Sequence, residues 1–159
     1  MSEVTANNIF SEKMEIILSS ARSLLFGGEV SNDENIIIIK DAENHKLRAY
    51  SSEFSLDQEG EDKVIVSANC HVISYFSMML FGMEIPEGEE DMCQDGLNEL
   101  LNIIIGNAAR DLSKRGLDFL ELITPQVGVF DNSRDSFNNY LVIVPTESGE
   151  IDFIFSLRD

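Results

Sequence analysis

The sequence predicts an α+β domain, an antiparallel sheet of about six strands with long helices packed on one face. Three observations predict it. Helical patterns and short β-rich runs follow one another as helix, three strands, two helices, three strands, which is the order of a layered α+β fold. The runs are separated by polar turns rather than by crossover helices, so antiparallel pairing is expected. The chain has 159 residues and is 43% hydrophobic, enough for one domain with a real core, and no linker or low-complexity segment divides it.

The first helix begins after Ser11, a good N-cap with Glu12 and Glu15 behind it, and carries Met14, Ile17, Leu18, Ala21, Leu24 and Leu25 at helical spacing through Phe26. Gly27 and Gly28 stop it. Strands are expected at Asn35 to Lys40, Lys46 to Leu56 and Lys63 to Ala68, pairing as an antiparallel meander across DAEN and DQEGED. Cys70 to Phe81 reads as a short apolar helix closed by Gly82. The long helix runs from about Glu89 to Arg115, with Glu89, Glu90 and Asp91 at its positive end, Lys114 and Arg115 at its negative end and Gly116 as C-cap. The last strands are Leu117 to Phe130, Tyr140 to Pro145 and Ile151 to Ser156, with DNSRDSFNN and TESGE as turns.

The net charge of −18 argues against nucleic acid and against an anionic membrane surface, since both select clustered Lys and Arg. The N-terminus has no apolar signal-peptide core, and no run approaches the ~20 apolar residues of a membrane span. Cys70 and Cys93 form no spaced framework, so a reducing, cytoplasmic setting is expected.

The long helix is the informative segment. At about 100° per residue, Leu97, Leu100, Leu101, Ile104, Ala108 and Leu112 share an arc of roughly 120°, the core stripe. Asp95, Glu99, Asn102, Gly106, Ala109 and Ser113 lie opposite, in a band of roughly 80°. A solvated face favours Lys, Glu, Gln and Arg, whereas glycine inside a helix costs about 1 kcal/mol relative to alanine. Small residues here suit the close approach of another backbone beneath two rigidly held polar groups, with Ile103 as an apolar contact beside them. The alternatives are ordinary surface solvation, and a Gly106 that relieves packing against a strand.

Asp95, Glu99 and Asn102 at these spacings, followed by Pro125 after twenty-two residues, resemble the signature of the CheC/CheX/FliY family of response-regulator phosphatases. NELLNIIIGNAARDLS, with Gly106, Asn107 and Ala108 after the Glu/Asn pair, is similar to the family's signature helix, and LDFLELITPQVGVF to the strand bearing the proline. The resemblance implies hydrolysis of the aspartyl phosphate of a CheY-like receiver domain. Asn102 would orient the attacking water and Glu99 would pair with the receiver's lysine. Asp95, Ile103, Gly106, Ala109 and Pro125 would contact the partner, and Mg²⁺ would be held by the receiver, not by this chain. A neutral amide suits a water beside phosphoryl oxygens, and a carboxylate suits an ammonium. The first helix faintly echoes the spacing with Ser11, Glu15 and Leu18, but Leu18 stands where the amide belongs. A single motif implies the CheX-like branch and, with it, a homodimer built through the sheet.

Other sites rank lower. Cys70, His71 and Cys93 fit no usual zinc spacing, and Cys70 reads as a small buried hydrophobe. His45 reads as solvated. DNSRDSFNNYLV starts like a calcium loop but has Ser136 and Val142 where Gly and Glu are needed. Met78, Met79, Met83 and Met92 read as core fillers, and SYFSMMLFG as core, with a dimer surface as the lesser possibility. Two readings compete with a phosphatase. One is a non-catalytic module that docks a receiver or a flagellar-switch component on the same helix; the other is a sensory domain with an apolar ligand pocket.

Overall fold

Alternation along the strands sorts the molecule into two faces. In the computed structural model, residues 12–25, 37–40, 46–56, 62–86, 88–114 and 137–158 are described. They form α1 (Glu12–Leu25), β1 (Ile37–Lys40), β2 (Tyr50–Ser55), β3 (Lys63–Ala68), α2 (Cys70–Phe81), α3 (Glu90–Lys114), β4 (Phe137–Thr146) and β5 (Gly149–Arg158). On β5, Ile151, Phe153, Phe155 and Leu157 point into one apolar cluster, while Ile154, between them, joins another. β4 does the same with Tyr140, Val142 and Val144 against Leu141, and β3 with Val64 and Val66 against Ile65. This is the two-residue period of a sheet with both faces covered.

The larger cluster takes its remaining members from the helices: Met14, Ile17, Leu18 and Ala21 of α1, Val72, Ile73 and Phe76 of α2, and Leu97, Leu100, Leu101, Ile104 and Ala108 of α3. The three helices therefore pack on one face, as expected. The opposite face carries a small apolar group, Leu47, Ile65, Leu141 and Ile154, among buried serines and Asp152. Asp152 is fully buried, and Arg48 answers it with a fork: Nε donates to Oδ2 at 3.0 Å and an Nη donates to Oδ1 at 3.2 Å. Burial acts to lower the pKa of this guanidinium, but its hydrogen bonds and charge interactions with Asp152 and Glu150 outweigh that and raise it.

The described residues form a five-stranded antiparallel sheet in the order β1-β4-β5-β3-β2. The strand expected at 117–130 lies outside the described residues, so the count of about six becomes five among those described. A second correction concerns pairing. β2 and β3 form the expected hairpin, but β1 pairs with β4, Ile37 opposite Ile143, rather than with β2. The ten-residue strands β4 and β5 form the longest ladder, and this hairpin stands between β1 and β3. A long non-local hairpin thus displaces the local meander. β2 starts at Tyr50, not at Lys46.

The end of α2 follows the expected chemistry, while the cap and stops expected at Ser11, Gly27, Gly28 and Gly116 lie outside the described residues. α2 closes on Gly82 in the left-handed region at φ 64°, where the Gly82 and Met83 N–H groups donate to the Met78 and Ser77 carbonyls. No described helix is long and apolar enough to cross a membrane.

Candidate functional site

Over residues 94–106 α3 is held on three sides, and what remains is one outward strip. Its core stripe is buried as the periodicity requires, with Leu97 and Ala108 at 0% and Leu101 and Ile104 at 1% exposure. At one edge of the stripe α2 leans in so closely that a Cβ on Gly96 would meet Ser77 Oγ at 2.8 Å, Ile73 Cγ2 at 3.0 Å and Ile85 Cδ1 at 3.2 Å. At the other edge Gln94 and Asn98 turn toward β2. The Gln94 amide donates to the Ser51 carbonyl at 3.1 Å, and Ser52 Oγ donates to Asn98 Oδ1. From α1, the buried Ser20 hydroxyl donates to the Ile104 carbonyl at 2.7 Å.

Asp95, Glu99, Asn102 and Gly106 are all exposed along the strip left free, and Ile103 and Ala109 are half-buried at its margins. Among the described residues, a Cβ on Gly106 would meet nothing within 4 Å. Packing among the described residues therefore does not require that glycine, and the strand expected at 117–130 lies outside them. Gly96 is the glycine that internal packing requires. Pro125 lies outside the described residues.

The strip offers a carboxylate and an amide one helical turn apart on a well-packed helix, beside a backbone without a side chain at Gly106. An amide can accept from and donate to a water molecule, and a carboxylate can hold an ammonium or an ordered donor. Among the described residues no group of three or more His, Cys, Asp and Glu is arranged to hold a metal ion.

Two sequence readings are corrected here. Cys70 and Cys93 are neither isolated nor a thiol pair but are joined in a disulfide, Cα to Cα 5.7 Å. The twenty-three-residue separation concealed this, because only the packing of α2 on α3 brings the first turns of both helices together. The SYFSMMLFG segment is core on one side only: Phe76 is buried, but Tyr75, Met78 and Met79 are 37%, 47% and 51% exposed. Beside the disulfide lies an open cavity of about 390 Å³ whose lining includes Tyr50, His71, Ile85 and Glu89. None of the strip residues lines it. The sequence reading missed Gln94, Asn98, Ser52 and Ser20. The only available signal was that Gln94 and Asn98 fall one turn apart on the flank of the apolar stripe.

The model of the family described as chemotaxis phosphatase CheX matches residues 54–132. No curated protein sequence matches the chain. Among solved structures it is similar to a CheC-like superfamily protein from Shewanella sp. PV-4, at 15% identity and a TM-score of 0.67, covering 93% of this chain and 98% of that one. It is similar also to the chemotaxis protein CheX from Vibrio vulnificus, at 14% identity and TM-score 0.64, covering 92% and 99%. A third is the CheX–CheY–BeF3–Mg²⁺ complex from Borrelia burgdorferi, at 19% identity and TM-score 0.59, covering 93% and 99%. At these identities the structural likeness establishes the fold.

Proposed function

We propose, from the premise that this chain belongs to the CheC/CheX family, that it is a phosphatase acting on the aspartyl phosphate of a CheY-like receiver domain. The observation that carries the reading is the outward strip of α3. Glu99 and Asn102 are exposed together on a stretch of helix whose other sides are packed, and no described residue stands within 4 Å of where a side chain on Gly106 would begin. The family match and the Borrelia burgdorferi complex, in which a CheX protein is bound to CheY, support the partner class.

In this reading Asn102 orients a water molecule in line with the phosphorus. The water oxygen forms the new bond to phosphorus while the bond to the receiver's aspartyl oxygen breaks, giving inorganic phosphate and a free carboxylate. Positioning and electrostatics carry most of such a reaction, and a neutral amide does not repel the phosphoryl oxygens. Glu99 pairs with the receiver's lysine and sets the register of the two proteins. Asp95, Ile103, Gly106 and Ala109 border the contact, and Pro125 is the further contact residue of this reading. Mg²⁺ would be held by the receiver's carboxylates, where it would neutralise charge on the phosphoryl group. A homodimer through the sheet, with one site per copy, belongs to the same proposal and is tested by sedimentation.

The deciding experiment measures phosphate release from a Mg²⁺-loaded, phosphorylated CheY-like receiver, with receiver binding followed in parallel. Acceleration that disappears in Asn102→Ala while binding persists supports the reading. Binding without acceleration makes the protein a docking module.

A further inference from the structure

The strip is useful only if α3 cannot roll. With side-chain ends roughly 6 Å from the helix axis, a 20° roll moves each by about 2 Å. Misplacing a reacting group by about 1 Å can cost on the order of a hundredfold in rate. The apolar stripe resists such a roll weakly, because hydrophobic burial is non-directional and the stripe is roughly 120° wide. Hydrogen bonds are directional.

Those bonds bracket the site. On the N-terminal side, Gln94 Nε2 lies 3.1 Å from the Ser51 carbonyl oxygen, Ser52 Oγ and Asn98 Oδ1, and Ser52 Oγ donates to Asn98 Oδ1. Ser52 is fully buried, and β2 holds it through its ladder with β3, opposite Val66. On the C-terminal side Ser20, itself buried, donates to the Ile104 carbonyl at 2.7 Å. Glu99 and Asn102 fall between these anchors, and Asn98 precedes Glu99 in the chain and lies about 40° around the helix from Asn102.

We infer that Gln94, Asn98 and Ser20 are positioning residues that fix the roll of α3, and with it the aim of Glu99 and Asn102. Asn98 acts through its side-chain oxygen, which accepts from both Ser52 and Gln94. The inference rests on the phosphatase reading for its kinetic consequence but not for its geometry.

The full chain is therefore tested in two ways. In receiver dephosphorylation, Asn98→Leu and Ser20→Ala are each expected to lower kcat about tenfold or more, with KM for the phosphorylated receiver changed less than about twofold. Asn98→Asp, which keeps an acceptor at the same place, is expected to stay within about threefold of wild type, and Ser20→Thr, which keeps the hydroxyl, likewise. Thermal unfolding confirms that each variant is folded. A role in packing alone would reverse the order at position 98, because leucine fills the space and aspartate brings a charge. Folded variants with unchanged kcat, or with only KM altered, overturn the inference. The second measurement is relaxation dispersion of the α3 amides. Asn98→Leu is expected to introduce microsecond-to-millisecond exchange at residues 99–103 that the wild type lacks. If the wild type fails to accelerate phosphate release, the phosphatase reading falls, and dispersion alone decides the positioning role. A quiet α3 in Asn98→Leu overturns it.

Discussion

α1 and α3 carry nearly the same spacing of residues to opposite ends. Glu15 and Leu18 on α1 stand three apart, as Glu99 and Asn102 do on α3. Glu15 and Glu99 are both exposed, yet Leu18 is 1% exposed and sits in the main core whereas Asn102 faces outward. The difference is therefore larger than a leucine in place of an asparagine. α1 is rotated so that the position corresponding to the amide is spent on packing, and its one buried hydroxyl, Ser20, is turned to anchoring α3. Similar spacing on two helices of one chain has yielded a support and the proposed site.

The strongest way to break this comparison is Leu18→Asn. If α1 were a dormant copy of α3, the change would add a second site and raise phosphatase activity. Burial predicts instead a loss of about 3–5 kcal/mol of stability in a denaturant titration, from lost apolar burial and an unpaired buried amide, with no gain in activity. Next in size, Asn102→Ala is expected to lower receiver dephosphorylation by about a hundredfold or more while leaving stability within about 0.5 kcal/mol, since an exposed side chain is removed. Stopped-flow kinetics paired with chemical unfolding separates the two effects.

The two glycines of α3 sharpen the comparison further. Gly96→Ala is expected to destabilise by about 1–2 kcal/mol, because crowding against Ser77, Ile73 and Ile85 outweighs the gain in helix propensity. Gly106→Ala meets no described neighbour, so it should stabilise the helix by up to about 1 kcal/mol while weakening receiver binding several-fold. Titration calorimetry with the receiver and a thermal melt would read both. Stabilisation without loss of binding would remove Gly106 from the proposed contact.

These contrasts also mark what the sequence could reveal. The core stripe of α3 and the limits of α2 were legible because each follows from a local rule: a 3.6-residue period in one case, and a glycine in the left-handed region in the other. The exposed strip was legible for the same reason, as the complement of the stripe. What escaped depended on non-local contact. The partner of β1 was set by a hairpin about a hundred residues further along the chain. The disulfide required α2 to lie on α3. Gln94 and Asn98 look like ordinary solvated amides until β2 places Ser51 and Ser52 beneath them. Asp152 alternates correctly in its strand, but nothing near it in sequence announces that Arg48 will cover it.

The strand order has a consequence for how this protein is made. β5, the last of the five strands to be synthesised, occupies the middle of the sheet, with β4 on one side and β3 on the other. Until β5 leaves the ribosome, the β2–β3 hairpin has no neighbour on its inner edge and Val64 and Val66 have no finished core to enter. Residues some ninety positions apart must meet before the two halves of the sheet join, a non-local closure of the kind that slows folding. Between the synthesis of β3 and that of β5, about eighty residues later, the nascent hairpin therefore carries an open, apolar strand edge, the sort of surface on which chaperones act.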